Sequence, residues 1–225
     1  MGWELMIIIG LVVFFTVAYA FGAIRNRRIQ RAFWGKLRLA VKRYASKVSF
    51  LGLGSSGFKI AFKPRSSPLS KVEISLVLLA REMPLYFLTA LALGRRDRMI
   101  VKANVRKKPD FHFEVFRRET SLEKEIALSL KKFKDVEAGG LSRYFKVKAD
   151  KPGRAEDLLR RGVLDHLVSL REVLERFSIS RSQPHILLIC RRDEEAIEPI
   201  LNALDTAAKA LAEMYGPPRS RRRGT

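Results

Sequence analysis

Cys190, His112, His166 and His185 are the side chains best suited to act as nucleophile, base or metal ligand, and their spacing argues against all three roles. No two histidines fall at the H-x-x-x-H or H-E-x-x-H spacing that sets two imidazoles on one helix face. A single cysteine rules out an internal disulfide and a cysteine-rich zinc set, which suits a reducing cytosol. Cys190 lies in the apolar run Ile186-Leu187-Leu188-Ile189-Cys190, the setting of an inert, buried thiol. The carboxylates of Glu156-Asp157 and Asp193-Glu194-Glu195 fall where first helical turns are expected, so they read as capping groups in favourable contact with the helix dipole. Gly52-Leu53-Gly54-Ser55-Ser56-Gly57 has the form G-x-G-x-x-G, but Phe58, Ile60 and Phe62 then alternate as in a strand. No helix N-terminus follows to hold a pyrophosphate, and the segment reads as a glycine-rich turn. The expectation is a protein that is not an enzyme, with no catalytic residue, metal or cofactor.

The chemistry the sequence does offer is electrostatic. Its 44 Lys and Arg against 23 Asp and Glu give a formal charge of +21 and a pI near 10.6. Between Glu4 and Glu73 there are about 13 basic residues and no acid, and the last residues add Arg219, Arg221, Arg222 and Arg223. Such clusters suit anionic lipid headgroups, worth about 1 kcal/mol per basic residue near the surface, or the phosphates of a ribosome or other RNA-bearing partner. The candidate contacts are Arg27, Arg28, Arg31, Lys36, Arg38, Lys42 and Arg43 with the tail arginines, and more weakly Arg95, Arg96 and Arg98.

The first cluster follows directly on an uncharged run from Leu5 to Ile24. About 20 residues at roughly 1.5 Å each cover the ~30 Å hydrocarbon core, so residues 1–24 read as a transmembrane anchor with Trp3, Leu5, Phe14, Phe15 and Ile24 against lipid. Ala18-Tyr19-Ala20 resembles a signal-peptide cleavage site, but the positive charge lies after the run rather than before it, and the run exceeds a signal core. Met6 breaks the myristoylation pattern. The basic flank puts the N-terminus outside and the remainder in the cytosol.

Residues 25–47 are expected as a basic amphipathic juxtamembrane helix, with Ile29, Phe33, Leu37, Val41 and Tyr44 as its stripe. That stripe either packs on the soluble domain or lies on lipid with Trp34 at headgroup level. Residues 48–70 read as a Gly/Pro/Ser-rich hairpin and linker, 71–215 as the cytosolic domain, and 216–225 as a basic tail. Within the domain the pattern predicts a strand from Lys71 to Leu79, a helix from Pro84 to Leu93, and a hairpin of strands Arg98 to Val105 and Phe111 to Phe116. A capping box at Thr120-Ser121-Leu122-Glu123 opens a helix to about Lys134. A strand from Tyr144 to Ala149, a long helix from Pro152 to Phe177 broken near Gly162, a strand from Pro184 to Arg191 and a helix from about Asp193 to Met214 complete an α+β fold, a mixed sheet-and-helix domain behind a single transmembrane helix.

The order of elements from Lys71 to Tyr215 resembles the cytosolic domain of calumin, the coiled-coil-domain-containing subunit of the PAT (protein associated with translocon) complex. The resemblance is carried by Val72-Glu73-Ile74-Ser75-Leu76 with Leu85 to Leu93 and Arg96 to Lys102, by Phe111 to Val115 with Lys124 to Lys134, and by Ile186 to Ile189 leading to Glu198 to Leu204. The long acidic segment of that family is lacking and its C-terminal basic coiled coil is reduced to Arg219 to Arg223, as in a short prokaryotic or archaeal-type homologue. The resemblance implies a noncatalytic scaffold and intramembrane chaperone subunit at the ribosome (rRNA) and Sec translocon, paired with a small multispanning Asterix-like protein, with nascent multipass membrane proteins as clients. The membrane would be the cell membrane or an ER-type membrane. The alternatives are a membrane-surface adaptor for anionic lipid and another protein, and a membrane-tethered RNA-binding module in which Phe111 and Phe113 face outward.

Overall fold

Proline is absent before Pro64, and the first 42 residues are mostly Leu, Ile, Val, Ala, Phe and Arg; the chain accordingly enters the fold as one unbroken helix, α1 (Gly2–Lys42). The computed structural model describes residues 2–45, 47–65, 67–118 and 130–215, together with Thr120 and Glu123. At about 1.5 Å per residue α1 is some 60 Å long, twice the hydrocarbon thickness. Its first half is exposed on all sides and is long and apolar enough to span a membrane. In its second half Phe33, Leu37, Ala40 and Val41 are buried in the core of the domain. The amphipathic stripe therefore packs on protein, and Trp34 stacks edge-on against Phe50 and Phe58.

The remaining elements are β1 (Val48–Gly52), β2 (Gly57–Phe62), β3 (Leu69–Val77), α2 (Pro84–Ala92), β4 (Arg98–Val105), β5 (Phe113–Arg117), β6 (Lys134–Asp135), β7 (Phe145–Ala149), α3 (Pro152–Leu158), α4 (Leu164–Ser169), β8 (Leu174–Ile179), β9 (Ile186–Arg191) and α5 (Ile197–Met214). The strands form one antiparallel sheet in the order β1-β2-β3-β4-β9-β8-β5-β7-β6. The protein is thus α+β with one candidate membrane helix. Alternation decides the faces: Phe58, Ile60, Val72, Ile74, Leu76, Met99, Val101, Leu188 and Val147 share one core with the second half of α1 and with α3, α4 and α5. Residues 48–62, set apart by the sequence as a hairpin, form the edge of this same sheet through β2 and β3. Gly57 faces Leu76 so closely that a Cβ there would lie 1.9 Å from the Leu76 carbonyl oxygen, which is why the turn ends in glycine.

Several expectations change. β4 and β5 do not form a hairpin: β4 pairs with β3 and β9, and β5 with β7 and β8. The apolar run 186–190 supplies a strand buried at the centre of the sheet and displaces the local pairing. Leu174–Ile179 is a strand rather than the end of a long helix. A bulge at Glu175 lets Leu174 and Phe177, three residues apart, share the core face, paired with Cys190 and Leu188. The helix before it is kinked at Gly162, as expected, and ends at Ser169. α5 starts at Ile197, so Asp193, Glu194 and Glu195 precede it rather than cap its first turn. The helix expected over 120–134 falls mostly outside the described residues. At its ends, Thr120 Oγ1 accepts the Glu123 N–H at 3.3 Å, and Lys134 belongs to β6.

Candidate membrane-proximal basic surface

Two turns of α1 fix how the domain hangs from the apolar span. Gly22 lies against the turn before α2, where a Cβ would sit 2.2 Å from the Arg81 carbonyl oxygen. One turn on, the fully buried Asn26 donates to the Leu79 carbonyl at 2.9 Å and to Glu82 at 3.3 Å, and accepts from Arg81 Nη1 at 2.9 Å. Arg81 also grips Asp97 with both terminal nitrogens, at 3.0 and 2.8 Å, and Asp97 accepts the Leu79 N–H. Another turn along, Gln30 donates to the carbonyls of Gly54 and Ser55. The clamp joins α1, the β1–β2 turn, the β3–α2 turn and the start of β4 within a buried, hydrogen-bonded corner, where such bonds are strong and costly to break. None of these residues was among the sequence candidates. Extending the stripe Ile29, Phe33, Leu37 backwards lands on Asn26 and Gly22, a polar and a minimal residue on a packing face, and that was the available signal.

With the apolar side of α1 fixed on the domain, 3.6 residues per turn carries Arg27, Arg28, Arg31, Arg38 and Lys42 to the opposite side. All five are exposed, and none makes an ion pair among the described residues. Lys36 and Arg43, also candidates, flank the packed face and bind Glu195 and Glu198, the latter at 2.9 Å. From Arg27 to Lys42 this row runs about 22 Å. Arg95 and Arg96 are exposed after α2, whereas Arg98 is held by Glu175 at 2.7 Å in the sheet. Trp3, Leu5, Phe14, Phe15 and Ile24 are exposed on the apolar half. Arg219, Arg221, Arg222 and Arg223 lie outside the described residues.

The groups with catalytic potential are engaged in structure. Burial pushes the Cys190 thiol up to about 12. His185 is buried, accepts the Val105 N–H at 3.2 Å, and is lowered first by burial and then by Lys108. Burial by itself raises the Glu114 carboxyl, but hydrogen bonds from His112, Arg176 and Ser178 outweigh it and hold the group below the usual carboxylate range. Among the described residues no cluster of three or more His, Cys, Asp and Glu side chains is placed to hold a metal. Phe111 and Phe113 are in the core and offer no stacking platform. No family model matches the chain, and no curated protein matches its sequence.

Proposed function

We propose that this protein is a noncatalytic, membrane-anchored scaffold that works at the ribosome and the Sec translocon during insertion of multipass membrane proteins. The observation that carries the proposal is the row of five basic side chains without an ion pair among the described residues, beginning three residues beyond the apolar span and held outward by a helix whose other side the domain clamps. A rigid cationic row close to the bilayer suits a large phosphate-bearing particle docked at that membrane, because phosphate neutralisation by Lys and Arg dominates such binding. The same flanking charge orients the N-terminus outside and the domain in the cytosol. The resemblance of residues 71–215 to calumin supplies the rest: a translocon setting, a small multispanning partner and nascent membrane segments as clients.

The test is recovery of the full-length protein from native membranes in mild detergent across a salt series. Ribosomal proteins, translocon subunits and a small multispanning protein are expected at low salt, with the ribosome lost first as salt rises. Recovery of none of these, with retention on anionic vesicles, contradicts the scaffold and assigns the row to lipid headgroups.

A further inference from the structure

α2 is an apolar helix with its apolar side chains outward. Leu85 is 69% exposed, Leu88 61% and Leu93 69%, with Met83 and Tyr86 also exposed, and Ala90 is the buried residue of the helix. A contiguous patch of this kind at the surface marks a contact site, and its position identifies what it contacts. The clamp at Gly22 and Asn26 holds the start of α2 against α1, and residues 82–86 line an open groove of about 650 Å³ with Phe15, Thr16 and Tyr19. Tyr19 and Phe15 lie about 7 and 13 Å along α1 from Ile24, toward the middle of the apolar span. The exposed side of α2 is therefore continuous with the apolar surface of α1 and lies beside it rather than beyond its end.

Most polar groups of the helix itself are bonded within it. The Phe87 N–H is bonded to Met83, the Thr89 hydroxyl to the Tyr86 carbonyl, and the C-terminal N–H groups of Leu93, Gly94 and Arg95 return to Thr89, Leu91 and Ala90, so the C-terminal turn of the helix is internally bonded, as backbone in lipid must be, while its first turn carries no side-chain cap. Arg95 and Arg96 follow at once, with Arg95 reaching the Tyr86 hydroxyl at 3.2 Å. Basic side chains directly after an apolar helix are suited to headgroups at the edge of a bilayer.

We infer that α2 is a second membrane element, buried among the acyl chains of the leaflet on the domain side, so that the protein grips the bilayer at two points and the domain is held in one orientation to it. This rests on α1 spanning the bilayer but not on the ribosome.

The experiment uses the full-length protein in phosphatidylcholine vesicles, with an environment-sensitive fluorophore on Leu88→Cys, Ile9→Cys or Leu39→Cys. Cys190, buried in β9, stays unlabelled in the folded protein. Leu88 is expected to follow Ile9, quenched several-fold more by acyl-chain spin-labelled lipid than by aqueous iodide, whereas Leu39, exposed some 22 Å beyond Ile24, shows the reverse. Iodide quenching at Leu88 with Ile9 still lipid-quenched leaves the anchor standing and overturns the inference. Protection of Leu88 from both quenchers, the mark of a covering protein, overturns it as well. Iodide quenching at Ile9 removes the anchor and the inference together.

Discussion

On the open face of the sheet, several basic side chains come with acids. Lys59 and Lys71 share Glu73 at 2.5 and 2.6 Å, Arg98 and Arg191 converge on Glu175, and Arg176 holds Glu114 at 2.7 Å. On the outward side of α1, Arg27, Arg28, Arg31, Arg38 and Lys42 have no acid among the described residues. The same residue types are thus held by acids at these sheet positions and, among the described residues, without them along the α1 row. A net charge of +21 says little about where a partner binds until the paired charges are set aside; among the described residues, the basic side chains without an ion pair include the α1 row, which follows directly on the apolar span, and domain side chains such as Lys102, Arg106, Lys108, Lys131 and Lys132.

The contrast is most easily broken on the sheet. Glu114→Ala leaves Arg176 and Ser178 facing a buried gap, and a loss of about 3 kcal/mol is expected, read by urea unfolding in detergent. Retention of wild-type stability would show that the pair is not structural. Gly22→Leu comes next. The added side chain meets backbone of the β3–α2 turn, and a cost of about 1–3 kcal/mol is expected, accompanied by faster hydrogen exchange at Leu79 to Met83. If exchange there is unchanged, the clamp does not hold the domain to α1.

Acid sharpens the same comparison. Hydrogen bonds from Lys59 and Lys71 lower the Glu73 carboxyl to about 2 from 4.5, and Lys151 and Tyr215 lower Asp110 to about 2 from 3.8. A carboxyl lowered by folding stabilises fully above its unfolded value, and that stabilisation is lost as pH falls through the folded value. The melting temperature should therefore hold from pH 7 to about 5 and drop between about 4.5 and 2. Glu73→Gln should flatten that drop, and an unaltered profile would remove Glu73 from the account. The smallest effect on stability is expected on α1: changing Arg27, Arg28, Arg31, Arg38 and Lys42 together to Gln should leave the melting temperature within scatter of wild type, because exposed charges without partners contribute little to folding.

How much of this was legible depended on whether local pattern and global pairing agreed. The Leu5–Ile24 run was readable from its length and lack of charge, and the stripe from Ile29 to Val41 and the alternations in β3, β4 and β7 because each segment's period matches the face it buries. β8 was not, because the bulge at Glu175 gives a strand the three-residue spacing of a helix. The expected β4–β5 hairpin failed because nothing local says that β9, some 80 residues downstream, pairs with β4. At the surface, the sequence pattern could not separate Lys36, Arg43 and Arg98, which have acids, from the five that have none among the described residues. Those acids are Glu195, Glu198 and Glu175, all distant in the chain. α2 was readable as a helix, but its exposure was not, since an apolar nonapeptide reads equally well as core.

The most direct test of the scaffold is co-sedimentation of the full-length protein, in nanodiscs of neutral lipid, with purified ribosomes between 50 and 200 mM salt, these being assay conditions of the order at which phosphate contacts are resolved. Wild type is expected to bind with a steep salt dependence, and the fivefold Gln variant to lose binding while flattening the slope by about 4, the share of five phosphate contacts. Binding that is equal in the two proteins, or absent from both at low salt, would contradict the assignment of the α1 row to the ribosome.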